Sequence, residues 1–119
     1  VTPLLICAAI LATDGDSIRC DGLKLRLEAI DAPEMPGSPP CRAGDKRRAK
    51  AWCDHRKAIE ARDYLNDILR SGPVSYRITG DGSWGRLSAK VYVRGVDVEC
   101  LMVKAKLAVV RYGRLECER

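Results

Sequence analysis

None of the six cysteines in this 119-residue chain falls in a C-x-x-C pair, and histidine occurs once, as His55. A zinc ribbon and a thioredoxin-type redox motif both need that pair, so both are disfavoured, and a lone histidine reads as an ordinary exposed residue. Apolar runs are short. The longest near an end, Pro3 to Ala12, is too short to span a bilayer and has no basic segment before it. A signal-peptide remnant is one reading of it; a buried strand is preferred, because an Asp-Gly turn follows at once. The twelve-residue EF-hand loop ending in a bidentate glutamate is missing. So are internal repeats, low-complexity tracts, long single-sign charge blocks and interdomain linkers, which leaves one ordered domain over residues 1–119. The chain starts at Val1 without an initiator methionine, as expected of a processed or trimmed product.

What is present leans basic. A net charge of +5 and a pI near 9.0 favour polyanionic partners, since lysine and arginine side chains release counterions when they neutralise phosphates. The even number of cysteines points to disulfides and an oxidising compartment, hence a secreted or periplasmic protein, with buried free thiols and a cytoplasmic location as the alternative. Cys41 and Cys53 bracket a proline-rich loop and are expected to be bonded, a restraint worth roughly 2 to 3 kcal/mol. Cys7 and Cys20 flank the Asp14-Gly15 turn about equally, which allows a bridge or two packed thiols.

Leu4 to Ala12 reads as a strand, Ser17 to Cys20 as its returning partner, and Asp21-Gly22 as a second hairpin turn. Leu23, Leu25 and Leu27 alternate with Lys24, Arg26 and Glu28 at the period of a half-buried third strand. Ala32 to Cys41 carries four prolines and must be an irregular loop. A helix follows, its apolar face formed by Ala58, Ala61, Leu65, Ile68 and Leu69 and its end set by Ser71-Gly72-Pro73. Val74, Tyr76 and Ile78 begin a fourth strand, Leu87 to Val93 form a fifth, and Val98, Leu101, Met102 and Ala105 mark a short helix. The pattern predicts a mainly β fold: a five-stranded oligonucleotide-binding (OB-fold) barrel with a helix between strands 3 and 4 and a short helix after strand 5.

Three words carry chemistry. Asp14-Gly15-Asp16-Ser17 gathers carboxylate oxygens around a tight turn, which suits a hard cation, although Asp-Gly-Asp is also plain turn chemistry. Arg26-Leu27-Glu28-Ala29-Ile30-Asp31-Ala32-Pro33-Glu34 places Arg26 and Glu28 on one strand face and Asp31 and Glu34 where the chain leaves the sheet. Trp84-Gly85-Arg86 opens the last strand with a guanidinium, a fork that donates to two phosphate oxygens at once.

In this order and spacing the three words resemble the staphylococcal nuclease-like, or thermonuclease, family, with a match running from Asp14 to Ala108. The resemblance implies an OB-fold barrel and Ca²⁺-dependent hydrolysis of DNA and RNA phosphodiesters to 3′-phosphate and 5′-hydroxyl products. It assigns Asp16 and Asp31 as direct metal ligands, the backbone carbonyl of Ala32 as a third, and Asp14 as a partner through water. Glu34 corresponds to the group that activates or orients the attacking water. Arg26 and Arg86 correspond to catalytic, phosphate-binding arginines, and Tyr112 to a substrate-stacking ring. The chain departs from the family pattern at Trp84, where tyrosine is usual, at Glu99 for asparagine, at Lys106 for glycine and at Arg114 for a second aromatic. It reaches Arg119 without the long C-terminal helix of the best-known members.

Arg42, Lys46, Arg47, Arg48, Lys50, Arg56 and Lys57 form either a cationic ramp for a nucleic-acid strand or a solvated helix face. The expected partners are DNA and RNA, with slight sequence preference, no membrane and no obligate protein partner; the chain is expected to act as a monomer. The alternative from another class is a catalytically silent OB-fold module that binds single-stranded nucleic acid. Such a module would have lost acids or arginines from the set, and none is lost here.

Overall fold

The computed structural model describes residues 3–82 and 85–117, so Trp84 lies outside the described residues. Strands β1 (Leu5–Cys7), β2 (Ile10–Asp14), β3 (Ser17–Cys20) and β4 (Leu23–Leu27) come first. The last three pair antiparallel in the expected meander. The β3–β4 turn needs two left-handed residues, and Asp21 (φ 48°) and Gly22 (φ 87°) supply them. A two-residue strand β5 (Ile30–Asp31) precedes the proline-rich loop, in which Pro39–Cys41 form a single 3₁₀ turn.

Helix α1 (His55–Arg70) starts where the Asp54 carboxylate accepts the Lys57 N–H at 3.1 Å. It buries Ala58, Ala61, Leu65, Ile68 and Leu69, the face that the helical period predicts. His55 is exposed on its first turn. Strands β6 (Val74–Asp81), β7 (Leu87–Val93) and β8 (Val96–Asp97) follow, then helix α2 (Val98–Lys104) and strand β9 (Val109–Val110).

The main sheet runs β1-β6-β7-β4-β3-β2, with β8 added alongside β7. Its two end strands, β1 and β2, are separated in sequence only by Ala8 and Ala9, so the sheet curls back towards its own start. The core inside the curl is aliphatic, with Ile18, Leu25, Leu27, Leu65, Val91, Val98 and Met102 almost fully buried. Removing that much apolar surface from water is the main stabilising term of the fold.

The architecture is mainly β with two helices, as expected; the strands number nine among the described residues, seven in the main sheet and two in the β5-β9 pair. The predicted strand over Leu4 to Ala12 is split because the Asp21 carboxylate takes the N–H groups of Ala8 (3.2 Å) and Ala9 (2.7 Å) out of the ladder. That stretch is also not uniformly buried: Cys7 and Ala12 face inward, whereas Leu4, Leu5, Ile6 and Leu11 are exposed, strand alternation turning Ile6 away from the side of Cys7 and Leu11 away from that of Ala12. Residues 42–50 are turns rather than a helix face, since α1 starts only at His55.

All six cysteines are bonded, as Cys7–Cys20, Cys41–Cys53 and Cys100–Cys117. The Cys41–Cys53 expectation holds, and the open choice for Cys7 and Cys20 resolves to a bridge. Three disulfides in a small domain are the bonding state of oxidising, extracellular-type compartments. Among the described residues no helix is long and apolar enough to cross a membrane.

Candidate active site

The Asp14 to Asp16 turn is pinned from both sides. A Cβ on Gly15 would lie 2.7 Å from the Cβ of Ala32 and 2.7 Å from that of Ala61, so only glycine lets the turn pass between α1 and the loop after β5. Asn66 of α1 satisfies both backbone groups of Ala12, where the β2–β3 register shifts, at 2.8 and 3.2 Å. The register shift and the glycine together bring Asp14 and Asp16 to the end of the sheet where the chain of β4 and β5 emerges.

Parallel pairing of β4 with β7 sets Arg26 opposite Ser88 and so brings it near Arg86, sixty positions further on in the sequence. Asp14, Asp16, Arg26, Asp31, Glu34, Arg86 and Tyr112 all line one cleft of about 700 Å³. The acids and arginines assigned from the three words, and Tyr112, are therefore in one place; of the basic segment only Arg47 lines the cleft. Ala32 is not in the lining; it is buried behind the cleft, and its N–H is donated to Asp16 Oδ2 at 2.9 Å.

Within the cleft, acids and arginines interlock. One nitrogen of Arg26, Nη2, lies 3.4 Å from Asp16 Oδ2 and 3.8 Å from Asp31 Oδ1. Its Nη1 donates to the backbone carbonyls of Leu27 (2.9 Å) and Asp16 (3.3 Å), which fixes the guanidinium plane. Arg26 Cζ lies over the Tyr112 ring at 5.6 Å from its centre, and Tyr112 is about half exposed. Arg86 Nη1 donates to Ser17 Oγ at 3.0 Å, and the same hydroxyl donates to Asp16 Oδ1 at 3.3 Å. Asp14 Oδ1 accepts the Asp16 N–H at 3.0 Å.

Glu34 sits on the other wall. Its N–H donates to the Trp52 carbonyl at 2.8 Å and Ser38 Oγ donates to its Oε2 at 3.1 Å, next to the Cys41–Cys53 bridge. The proline-rich loop is thus tied down at the point where it carries a carboxylate into the cleft.

Burial pushes the Asp16 carboxyl well above the usual range, and the neighbouring Asp14 charge adds to it, while Arg26 and the Ala32 N–H oppose the rise. The neighbouring Asp14 and Asp16 carboxylates repel each other, which a proton or a hard cation would relieve. The acids of the cleft offer only oxygen donors, with no soft ligand among the lining residues, which is the donor chemistry a hard cation prefers. Among the described residues, the group of three or more candidate ligands whose atoms all lie within 4.8 Å of one another is Cys7, Cys20 and Asp21, not the cleft acids. Those sulfurs are joined to each other and the Asp21 oxygens accept from Ala8 and Ala9, so nothing there is offered to a metal.

Four contributors were not singled out from the sequence as site residues. Glu28 lines the cleft on the strand face it shares with Arg26. Arg47, from the basic segment, also lines it; its hydrogen-bonded ion pair with Asp45 at 2.8 Å holds that carboxyl down to about 2. Arg111 Nη1 reaches Asp31 Oδ2 at 2.8 Å, because β9 pairs with β5 and sets the C-terminal segment beside that acid. Glu99, fully buried, holds the Ala29 N–H between the two halves of the second word. No local signal marks Arg111 or Glu99, since both act through contacts distant in sequence.

No protein-family model matches the chain, and a search of curated proteins finds no match.

Proposed function

We propose that this protein is a secreted or periplasmic, Ca²⁺-dependent nuclease that hydrolyses phosphodiester bonds of DNA and RNA, on an OB-fold barrel of the staphylococcal nuclease type. One observation carries the reading: four acids and two arginines, chosen from three separate stretches of sequence, converge in a single cleft with an exposed tyrosine at its edge. The barrel reading is supported by the curl of the sheet. With β1 and β2 counted as one bent strand, the principal strands are five, with α1 between the third and fourth and α2 after the fifth.

Asp16 and Asp31 would hold the ion directly and Asp14 through water, and a bound Ca²⁺ supplies Lewis-acid polarisation of a phosphoryl oxygen. Arg26 and Arg86 face the substrate phosphate and neutralise the charge that grows on its equatorial oxygens. Glu34, anchored by Ser38, accepts or directs the proton of the attacking water. Water adds to phosphorus as the P–O5′ bond breaks, and the departing oxygen takes up a proton. The products are a 3′-phosphate and a 5′-hydroxyl. Tyr112 offers a flat face to a base, so selectivity for sequence is slight.

The interlocked ion pairs favour a second reading, a silent module that binds single-stranded nucleic acid, because Arg26 and Arg111 already compensate two of the acids. Digestion of single-stranded DNA and RNA with Ca²⁺, and again with excess chelator, separates the two. Cleavage that chelator abolishes supports the nuclease; binding without cleavage supports the module; full cleavage in chelator overturns the cation assignment.

A further inference from the structure

Asp31 is approached by cations on both oxygens. Arg26 Nη2 stands 3.8 Å from Oδ1, and Arg111 Nη1 makes a hydrogen-bonded ion pair with Oδ2 at 2.8 Å. The Arg26 side chain is half-buried and tied to two backbone carbonyls, whereas the Arg111 side chain is about half exposed and its backbone is held separately, through its N–H on the Ala29 carbonyl at 2.9 Å. Arg111 can therefore leave Asp31 without disturbing the strand pairing that places it. A fixed positive charge on a carboxylate competes with any metal ion for the same oxygens, by direct occupation and by Coulomb repulsion.

We propose that Arg111 is a resident counter-cation for Asp31, a positioning residue that holds this acid in place when no metal is bound and raises the metal concentration at which the cleft fills. The inference rests on the cation-dependent reading of the cleft and adds a residue that reading does not contain. Arg111 pairs with Asp31 in the metal-free protein. On metal binding the guanidinium gives up Oδ2 and swings into solvent at the cleft mouth, beside Tyr112. No covalent step is involved.

The test is calorimetric titration of Ca²⁺ into the full chain without nucleic acid, for the unsubstituted protein, Arg111→Gln and Arg111→Lys. Gln keeps a donor for Asp31 but no charge; Lys keeps the charge. The expected result is affinity tighter on the order of tenfold for Arg111→Gln, the scale of losing one neighbouring like charge, with Arg111→Lys close to the unsubstituted protein. Binding that appears only in Arg111→Gln supports the proposal equally. Equal affinity in all three, or weaker binding in Arg111→Gln with its thermal midpoint unchanged, overturns the role of Arg111 and leaves the cation reading intact. If Arg111→Gln unfolds, Arg111→Lys and Arg111→Met replace it as the pair compared, with the same criterion. No Ca²⁺ binding by any of these proteins overturns the cation reading and this inference with it.

Discussion

The carboxylate of Glu99 accepts the backbone N–H of Ala29 at 2.8 Å across 70 residues of chain. The Ala29 carbonyl in turn accepts the N–H groups of Arg111 (2.9 Å) and Tyr112 (3.1 Å). One residue therefore joins α2, the chain leading into β5 and the segment that carries Tyr112. Glu99 Oε1 meets Lys90 Nζ at 3.0 Å as an ion pair without a well-directed hydrogen bond, and Lys90 also touches Asp97 at 3.0 Å and Glu28 at 3.8 Å. Glu99→Ala leaves the buried Ala29 N–H unpaired, so it should destabilise by roughly 1 to 3 kcal/mol in chemical denaturation. A loss near zero would show that this contact does not hold the loop.

Glu99→Gln tests the charge alone. Burial, the largest influence, raises the Glu99 carboxyl above its ordinary 4.5, against the pull of Lys90 and the Ala29 N–H. The folded state then binds this proton more tightly than the unfolded one, and native stability falls as pH rises from 4.5 through the raised value. Glutamine has no such proton. The stability difference, Glu99→Gln minus unsubstituted, should grow with pH over that interval, and a flat difference would contradict the assigned direction.

Gly15→Ala should cost about 1 to 3 kcal/mol, because the two carbons it would strike are short side chains that cannot swing aside. The turn can relax only by moving Asp14 and Asp16, so Ca²⁺ affinity should fall with stability. Unchanged affinity in a folded Gly15→Ala protein would separate the turn from the cation site.

Replacing Cys41 and Cys53 by serine frees the loop that carries Glu34. The expected loss of stability is roughly 2 to 3 kcal/mol, with turnover on single-stranded DNA falling further than substrate affinity, since Arg26 is held on β4 and Arg86 just before β7, away from that loop. Kinetics in which KM alone changes would place the disulfide's effect on binding instead.

Glu34→Gln keeps the shape of the side chain and removes the proton acceptor, so kcat should drop by about 10²- to 10⁴-fold while nucleotide binding survives. Arg86→Ala should lower both turnover and affinity, because the phosphate is charged before the transition state is reached. Asp16→Ala should mainly raise the Ca²⁺ requirement. Near-normal turnover of Glu34→Gln, in a preparation free of contaminating nuclease, would mean that water is activated elsewhere.

Local chemistry was legible in the sequence wherever one segment settles its own conformation. The five buried positions of α1 follow from a 3.6-residue period, and the β2-β3-β4 meander follows from Asp-Gly turns and alternating leucines, because both patterns are set by neighbours within a few residues. The candidate acids and arginines were picked out differently, by the order and spacing of three words that resemble a known family, since each word alone is also plain turn or surface chemistry. Their meeting in one cleft was a matter of tertiary structure: the parallel register of β4 on β7 brings Arg26 to Arg86, and the space between Ala32 and Ala61 admits only Gly15. The break at Ala8–Ala9, the two-residue pairing of β5 with β9, the contact of Arg111 with Asp31 and the burial of Glu99 leave no periodic trace. Each is decided by a partner far along the chain, and a hydrogen bond or ion pair across such a distance forms only when the whole sheet has closed around it.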